Sequence, residues 1–348
     1  MLKELMNSLL SRIQKSLDLN SASKNDKVVG KVRLFLNELI LYKSLLRNID
    51  SQSKNYDVTV QRKIDQASER ILKHAYFIQN IITQKDLDLL KSEFRRYLRV
   101  YIYKSLLLKR FYCKPRGYPG DTLMFEMIYN QKAVSNYLGK YFDHFVLEFS
   151  LAKSVINRKD FMKKFLLNEI RLRCSQRSVK ISNIGSGSGR EIRELLEENN
   201  FKKEVLFNCF DQDDVGLQFL NRKPLSSISF KQCNMLNLIG LGAASVGLPK
   251  QDIIYSLGLV DYFGDRVLIN FINRFYRLLK KRGVLVIASC SSNHLERYAL
   301  LTWFCDWDFY KRDAKNTRKL IRNECGIKNV QVEWEKNFDI FFIIIRKE

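Results

Sequence analysis

The sequence predicts an α/β protein whose second half is a doubly wound, seven-stranded sheet and whose first part is an all-helical domain. Three observations carry this. Up to about residue 110 the apolar residues recur at three and four, the period of helices that bury one face. From residue 178 short apolar runs alternate with helical ones, the pattern of a parallel sheet covered on both sides. Between the first such strand and its helix stand Gly185, Gly187 and Gly189.

Taken in order, "MLKELMNSLLSRIQKSLDLN" places Leu2, Leu5, Leu9, Ile13 and Leu17 on one helical face with charges between, so no uninterrupted signal core begins the sequence. "VVGKVRLFLNELILYKSLLRNI" and "VQRKIDQASERILKHAYFIQNII" read as helices, with "SASKND" and "NIDSQSKNYD" as cap and turn segments separating them. "LDLLKSEFRRYLRVYIYKSLLLKRFY" leads into "KPRGYPGD", which holds two of the four prolines and two of the fifteen glycines. Helix resumes after it. "SVKISNI", "EVLFNCFD", "SISFKQ" and "QDIIYSL" are the first four strands, "DRVLINFINRFYRLLKKRG" is a helix, and "GVLVIASCSSN" is the fifth strand. "NVQVEWEKNFDIFFIIIRKE" supplies two more, turning near Lys336 and Asn337. The expected organisation is a helical cap over residues 1–112, linking helices with the proline-glycine segment over 113–177, and the sheet domain over 178–348.

Bulk properties narrow the setting. With 46% apolar residues in 348 the chain can build a sizeable core. The net charge is +23, and residues 1–120 carry 24 basic against 11 acidic side chains. Such a surface attracts polyanions in general: nucleic acid, an anionic membrane surface or an acidic carrier protein. Alternatively, the charges only solvate helices. Seven cysteines form no CxxC pair and several lie in apolar strand-like runs, which suits a reducing, cytoplasmic setting. No run is long enough to span a bilayer. His74, His144 and His294 are far apart and no carboxylate cluster has ligand spacing, so no metal site is expected.

Alternate glycines at a strand-helix junction let the backbone turn sharply and approach a ligand. A dinucleotide fingerprint would want glycine where Arg190 stands, and no Gly-Lys-Ser/Thr follows for a P-loop. The G-x-G-x-G turn, an acid ending the next strand, "YSLGLVDYF" ending the fourth and the closing strand pair together resemble the class I S-adenosylmethionine-dependent methyltransferases, over roughly residues 178–348. That resemblance implies a Rossmann-like fold and S-adenosyl-L-methionine as cofactor. Gly185, Ser186, Gly187 and Gly189 would lie against its methionine and ribose parts. Asp211, 22 residues past Gly189, would bond the ribose hydroxyls, with Asp213 or Asp214 as alternatives. Asn234 would meet the adenine, unless it is only a turn residue, and Met235 would pack on the ring. Leu257 and Gly258 would flank the cofactor.

"KPRGYPGDTLMFEMIY" and "NHLERYALLTWFCDWDFYKRD" further resemble a bacterial group of methyltransferases that includes the enzymes forming 3-hydroxypalmitate methyl ester, which share a GYxGD segment ahead of the glycine turn. Near the expected site Tyr118 and Asp121 of that segment, Tyr262 after the fourth strand and His294 after the fifth are candidate catalytic residues. Tyr129, Trp307, Tyr310 and Arg312 are candidate substrate contacts. Trp303 and Trp307, one helical turn apart, could equally be core, Asp306 beside Arg312 a structural pair, and His294 an exposed loop residue. The expected acceptor is a small molecule or fatty-acid-type carboxylate, which is already nucleophilic and needs holding more than a base. The competing expectations are an RNA or protein methyltransferase gripping substrate with the basic helical domain, and a cofactor-binding effector or scaffold without turnover.

Overall fold

The computed structural model describes residues 22–52, 55–174, 177–201, 204–220, 227–239 and 248–348, and Ser11. The amphipathic pattern of the first twenty residues therefore lies almost wholly outside the described residues. In chain order the elements are α1 (Ala22–Gln52), α2 (Val58–Gln79), α3 (Gln84–Ile102), α4 (Leu106–Cys113), α5 (Thr122–Tyr129), α6 (Tyr137–Glu148), α7 (Ser150–Cys174), β1 (Val179–Ile184), α8 (Arg190–Glu198), β2 (Val205–Asp211), α9 (Val215–Leu220), β3 (Ile228–Gln232), α10 (Met235–Leu238), β4 (Gln251–Leu257), α11 (Asp265–Arg277), β5 (Leu279–Cys290), α12 (Ala314–Cys325), β6 (Val330–Trp334) and β7 (Ile340–Arg346). They form two compact units. One holds the described residues up to Pro119 with Gln131–Phe149 and Glu296–Asp308; the other holds Gly120–Asn130, Ser150–Leu295 and Phe309–Glu348.

In the helical unit α1 buries Val32, Phe35, Leu36, Leu39 and Leu46, α2 buries Ile64, Ile71 and Ala75, and α3 buries Phe94, Leu98 and Ile102, the three-and-four spacing expected of packed helices. Trp303, in a single π-helical turn at Leu300–Phe304, is fully enclosed. Its ring meets Phe35 at 5.3 Å and Phe94 at 5.5 Å edge-on, and its Nε1 donates to Gln79 Oε1. Asp306 pairs with Arg95 at 3.0 Å, which corrects the expected pairing with Arg312. A second difference lies in "SASKND": from Ala22 onward it is already inside α1, because Ser, Asn and Asp favour helix starts as well as breaks.

"KPRGYPGD" is where the chain leaves this unit. Lys114 ends α4 in the left-handed conformation, Gly117 N–H donates to Lys114 O at 2.8 Å, and Gly117 and Gly120 both have positive φ, which glycine adopts without a Cβ penalty. The boundary between units falls at Pro119–Gly120. Asp121 then starts α5, its Oδ1 accepting Met124 N–H at 2.9 Å as an N-cap.

The second unit is built on one seven-stranded sheet of order β3-β2-β1-β4-β5-β7-β6. Strands β1 to β5 pair in parallel, and β7 runs antiparallel between β5 and β6. One face packs Ile184, Ile254, Leu285 and Ile343 against Leu268, Phe271 and Phe275 of α11. The other packs Ile181, Ile253, Val286 and Ile344 against Met162, Leu166 and Ile170 of α7 and Ile192 and Leu195 of α8. Burial on both faces is why these strands read as near-continuous apolar runs. The helix expected to reach Gly283 stops at Arg277, and β5 begins at Leu279. There the β4–β5 register shifts between Gln251 and Ile253 and Arg282 has positive φ, so three consecutive basic residues that look like a helix end lie on an irregular strand entry.

Candidate active site

The order of strands reverses between β1 and β4, and in such sheets ligands bind beyond the carboxyl ends of the strands at that reversal. The glycine turn stands there. Gly185, Gly187 and Gly189 all take positive φ, and Gly185 and Ser186 N–H groups both donate to Phe210 O, which folds the turn back onto β2. Gly216 presses on the turn from α9: a Cβ built on it would lie 2.2 Å from Gly187 O.

Asp211 closes β2, buried, and both its oxygens are engaged. Oδ2 accepts Gly187 N–H at 2.7 Å and Oδ1 accepts Asp213 N–H at 2.9 Å. Burial pushes its carboxyl above the usual range, against the lowering effect of those bonds. Asp213, the weighed alternative, spends Oδ1 on Val215 N–H at the start of α9.

The turn is braced from the segment that follows "KPRGYPGD". Glu126 of α5, buried, receives Arg193 Nη2 at 2.6 Å and Arg190 Nη1 at 3.1 Å, and Ser188 Oγ hydrogen-bonds its Oε1. Arg190, standing where a dinucleotide site would have glycine, is thus an ion-pair partner. Behind the turn, Glu191 is buried and accepts from Asn183 Nδ2 at 2.9 Å and Tyr255 OH at 2.7 Å, with its carboxyl pushed up by burial.

At the end of β4, Gly258 takes φ of 90°, and a Cβ there would lie 2.6 Å from Nη1 of Arg158 on α7. Arg158 is buried and its guanidinium lies 5.3 Å from the Phe125 ring centre. The Tyr129 hydroxyl is pushed up to about 12 by burial, with Arg158 opposing the rise. Asp261, also buried and pushed up by burial, uses Oδ1 to accept from Ser289 Oγ at 2.8 Å and Cys290 N–H at 2.9 Å.

The expected site residues divide between the two units. Gly185, Ser186, Gly187, Gly189, Asp211, Leu257, Gly258 and Tyr129 gather at the strand ends of the second unit with Asp121 at the start of α5. Tyr118 closes the helical unit, and Trp307 belongs to it through Glu296–Asp308, its buried ring 5.8 Å from Phe111 and edge-on. Asn234 caps α10, its Oδ1 accepting Leu236 N–H at 2.8 Å, and Met235 is buried among Ile184, Phe210 and Leu268. Arg312 is buried, donating to the carbonyl oxygens of Val260 and Phe263, so it braces the segment after β4. Tyr262 and Tyr310 are 39% and 54% exposed, and His294 is half-buried just past β5. Glu126, Arg158, Glu191, Gly216 and Asp261 were not foreseen.

This strand order, with the glycine turn after β1 and an acid closing β2, defines a class I methyltransferase fold. A family model described as "Putative methyltransferase" matches residues 116–297, more than half of the chain, and the chain belongs to that family. A search of curated proteins finds no match. Among solved structures, a possible exported protein from Bordetella parapertussis is 14% identical with a TM-score of 0.53, the alignment covering 95% of this chain and 99% of that one. Magnesium protoporphyrin IX methyltransferase from Synechocystis PCC 6803 with bound S-adenosylhomocysteine is 11% identical over 57% of this chain and 88% of that one, with a TM-score of 0.42. N-methyltransferase NodS from Bradyrhizobium japonicum is 15% identical over 54% and 97%, with a TM-score of 0.37.

The protein is a methyltransferase, and S-adenosyl-L-methionine is the cofactor of this fold. The residues present fit it. Ser186 Oγ and Arg158 Nε are buried with no hydrogen-bond partner, so both keep a donor for a ligand where most buried polar groups are paired. Asp211 keeps a second lone pair on each oxygen for ribose hydroxyls. Among the described residues no helix is long and apolar enough to cross a membrane.

Proposed function

We propose that the protein methylates the carboxylate of a small-molecule or fatty-acid-type acceptor, as the group forming 3-hydroxypalmitate methyl ester does. The carrying observation is that the buried carboxyls Glu191, Asp211 and Asp261 already accept hydrogen bonds from Asn183 and Tyr255, from Gly187 and Asp213 N–H, and from Ser289 and Cys290. Carboxyls whose oxygens are already committed to this chain's own donors are poorly placed to take a proton from an acceptor, which suits an acceptor that is nucleophilic without a base. The cofactor supplies a methyl group on a sulfonium. The chain's own contribution is to hold the acceptor in line and keep water out. Asp211 and the glycine turn orient the ribose and methionine parts, while Asp121 caps the start of α5. Tyr262 and His294 remain the proposed acceptor-side groups of the sheet unit. The net charge of +23 suits an acid presented free or on an acidic carrier, and seven free thiols suit a reducing, cytoplasmic setting.

The test is transfer of labelled methyl from S-adenosylmethionine to a panel of acyl acids. Label in a lipid-extractable ester that mild base releases is the expected outcome. Label confined to RNA or protein would replace this acceptor with the other class.

A further inference from the structure

Arg158 is a charged residue on a buried stripe. Along α7 the residues Ser154, Arg158, Met162, Leu166 and Ile170 recur every four positions and all are buried, yet four of them need no counter-ion. The other long basic side chains of this helix's buried side are neutralised: Lys159 meets Glu194 at 2.7 Å and Lys163 meets the same carboxylate at 3.2 Å. Arg158 is 4% exposed, no carboxylate of the described residues stands within ion-pair distance of it, and its Nε has no hydrogen-bond partner. Its surroundings are the Phe125 ring, the Tyr129 hydroxyl and the bare Cα of Gly258. Asp261 and Glu191 act on it from further off, and both are already engaged, Asp261 Oδ1 by Ser289 and Cys290 and Glu191 Oε1 by Asn183 and Tyr255.

Keeping a guanidinium buried with a tyrosine hydroxyl but no paired carboxylate beside it is costly. A fork of donors is also the group best matched to a carboxylate, which it can hold through two parallel bonds. Gly258 has no side chain to separate that fork from whatever lies beyond the end of β4. We infer that Arg158 is a carboxylate-binding residue of the methyltransferase site, seated at the β4 edge. This rests on the methyltransferase reading above and names what the site recognises. Two sources offer the same chemistry: the methionine carboxylate of the cofactor and the carboxylate of the acceptor.

The experiment uses full-length protein, Arg158→Met and Arg158→Lys. It measures the melting temperature without ligand and the affinities for S-adenosylhomocysteine, its carboxamide and dodecanoate by calorimetry. Arg158→Met should leave the unliganded protein about as stable as wild type, since it replaces a buried charge that has no ion-pair carboxylate. It should weaken one acid by roughly 10- to 100-fold, the loss expected when a charged hydrogen-bond partner is removed, and lysine should restore part of that. Weaker S-adenosylhomocysteine with an unchanged carboxamide assigns Arg158 to the cofactor. Weaker dodecanoate with unchanged S-adenosylhomocysteine assigns it to the acceptor. The inference is overturned if both variants bind every probe as wild type does, or if Arg158→Met is markedly destabilised and loses S-adenosylhomocysteine and its carboxamide equally. Wild-type protein that binds S-adenosylhomocysteine while the variants bind it and dodecanoate equally well leaves the methyltransferase reading standing and this inference refuted. Wild-type protein that binds neither probe refutes both.

Discussion

At residue scale the site depends on backbone approach, and Gly216 shows how tightly. A methyl group there would sit 2.2 Å from Gly187 O, inside any van der Waals contact, so the glycine turn itself would have to move. Gly216→Ala should therefore lower S-adenosylhomocysteine affinity at least tenfold and destabilise the fold by about 1–3 kcal/mol, measured by calorimetry and urea unfolding. Gly264→Ala is the control, since its nearest neighbour, Tyr310 OH, would lie 3.6 Å away. Asp211→Asn makes a different point. Its amide can replace only one of two acceptor oxygens, so either Gly187 N–H or Asp213 N–H loses its partner. Cofactor affinity should fall by roughly 10- to 100-fold. An Asn variant that binds as wild type would remove Asp211 from the site. Asp211 and the three alternate glycines were legible because the need for positive φ and for an acid at a strand end is local. Gly216 was not, because what it touches is 29 positions away in the chain at Gly187. Arg158 left a readable trace, a charge on a four-residue apolar stripe, which becomes meaningful only once the stripe is known to be buried.

At the scale of elements, α5 is fastened to the start of α8 by one carboxylate. Glu126 meets two arginines and a serine hydroxyl, and all of them flank the glycine turn. Removing it would take a carboxylate from two guanidiniums that are only a quarter exposed or less, leaving Arg190 with Glu194 and Arg193 with Ser188 O. Glu126→Ala should cost roughly 3 kcal/mol by urea unfolding and also weaken S-adenosylhomocysteine binding. Glu126→Gln, which keeps the hydrogen-bonding shape, should recover part of both. If stability falls while cofactor affinity stays at the wild-type value, α5 supports the fold and not the turn. The elements themselves were mostly readable, since strands covered on both faces and helices covered on one carry different periods. The reading failed at Leu279–Arg282, where a basic tripeptide of helical character enters a strand through an irregular register. It failed again where Glu296–Asp308 leaves the sheet domain to pack Trp303 and Trp307 with helices, because no local signal marks a segment whose partners lie some two hundred residues earlier in the chain.

For the whole molecule, two sets of carboxyls respond to pH in opposite senses. Burial acts to raise Glu194, but bonds from Lys159, Arg190 and Lys163 outweigh it and hold the group at about 2. Glu169 and Asp252 are likewise lowered, their arginine and lysine partners outweighing burial. Between that value and the ordinary carboxyl range the unfolded chain binds protons that the native protein does not, so this stability is present above pH ~4.5 and lost as pH falls toward ~2. Glu191, Asp211 and Asp261 are raised by burial, so the native protein keeps protons that the unfolded chain has released. Their contribution is fully present below the ordinary range and is lost as pH rises through their folded values. Stability without ligand should thus pass through a maximum on the acidic side of neutrality and fall steeply below pH ~4, where Glu194→Gln should flatten the acid limb. Cofactor binding should run the other way on the alkaline side, because the ribose contact proposed for Asp211 is strongest when the carboxyl is ionised. Melting temperature and S-adenosylhomocysteine affinity measured together from pH 4 to 8 should therefore diverge as pH rises, stability declining while affinity grows. In Asp211→Asn the growth of affinity with pH should disappear and the acid limb remain. Affinity that climbs with pH as steeply in that variant as in wild type would assign the dependence to another group.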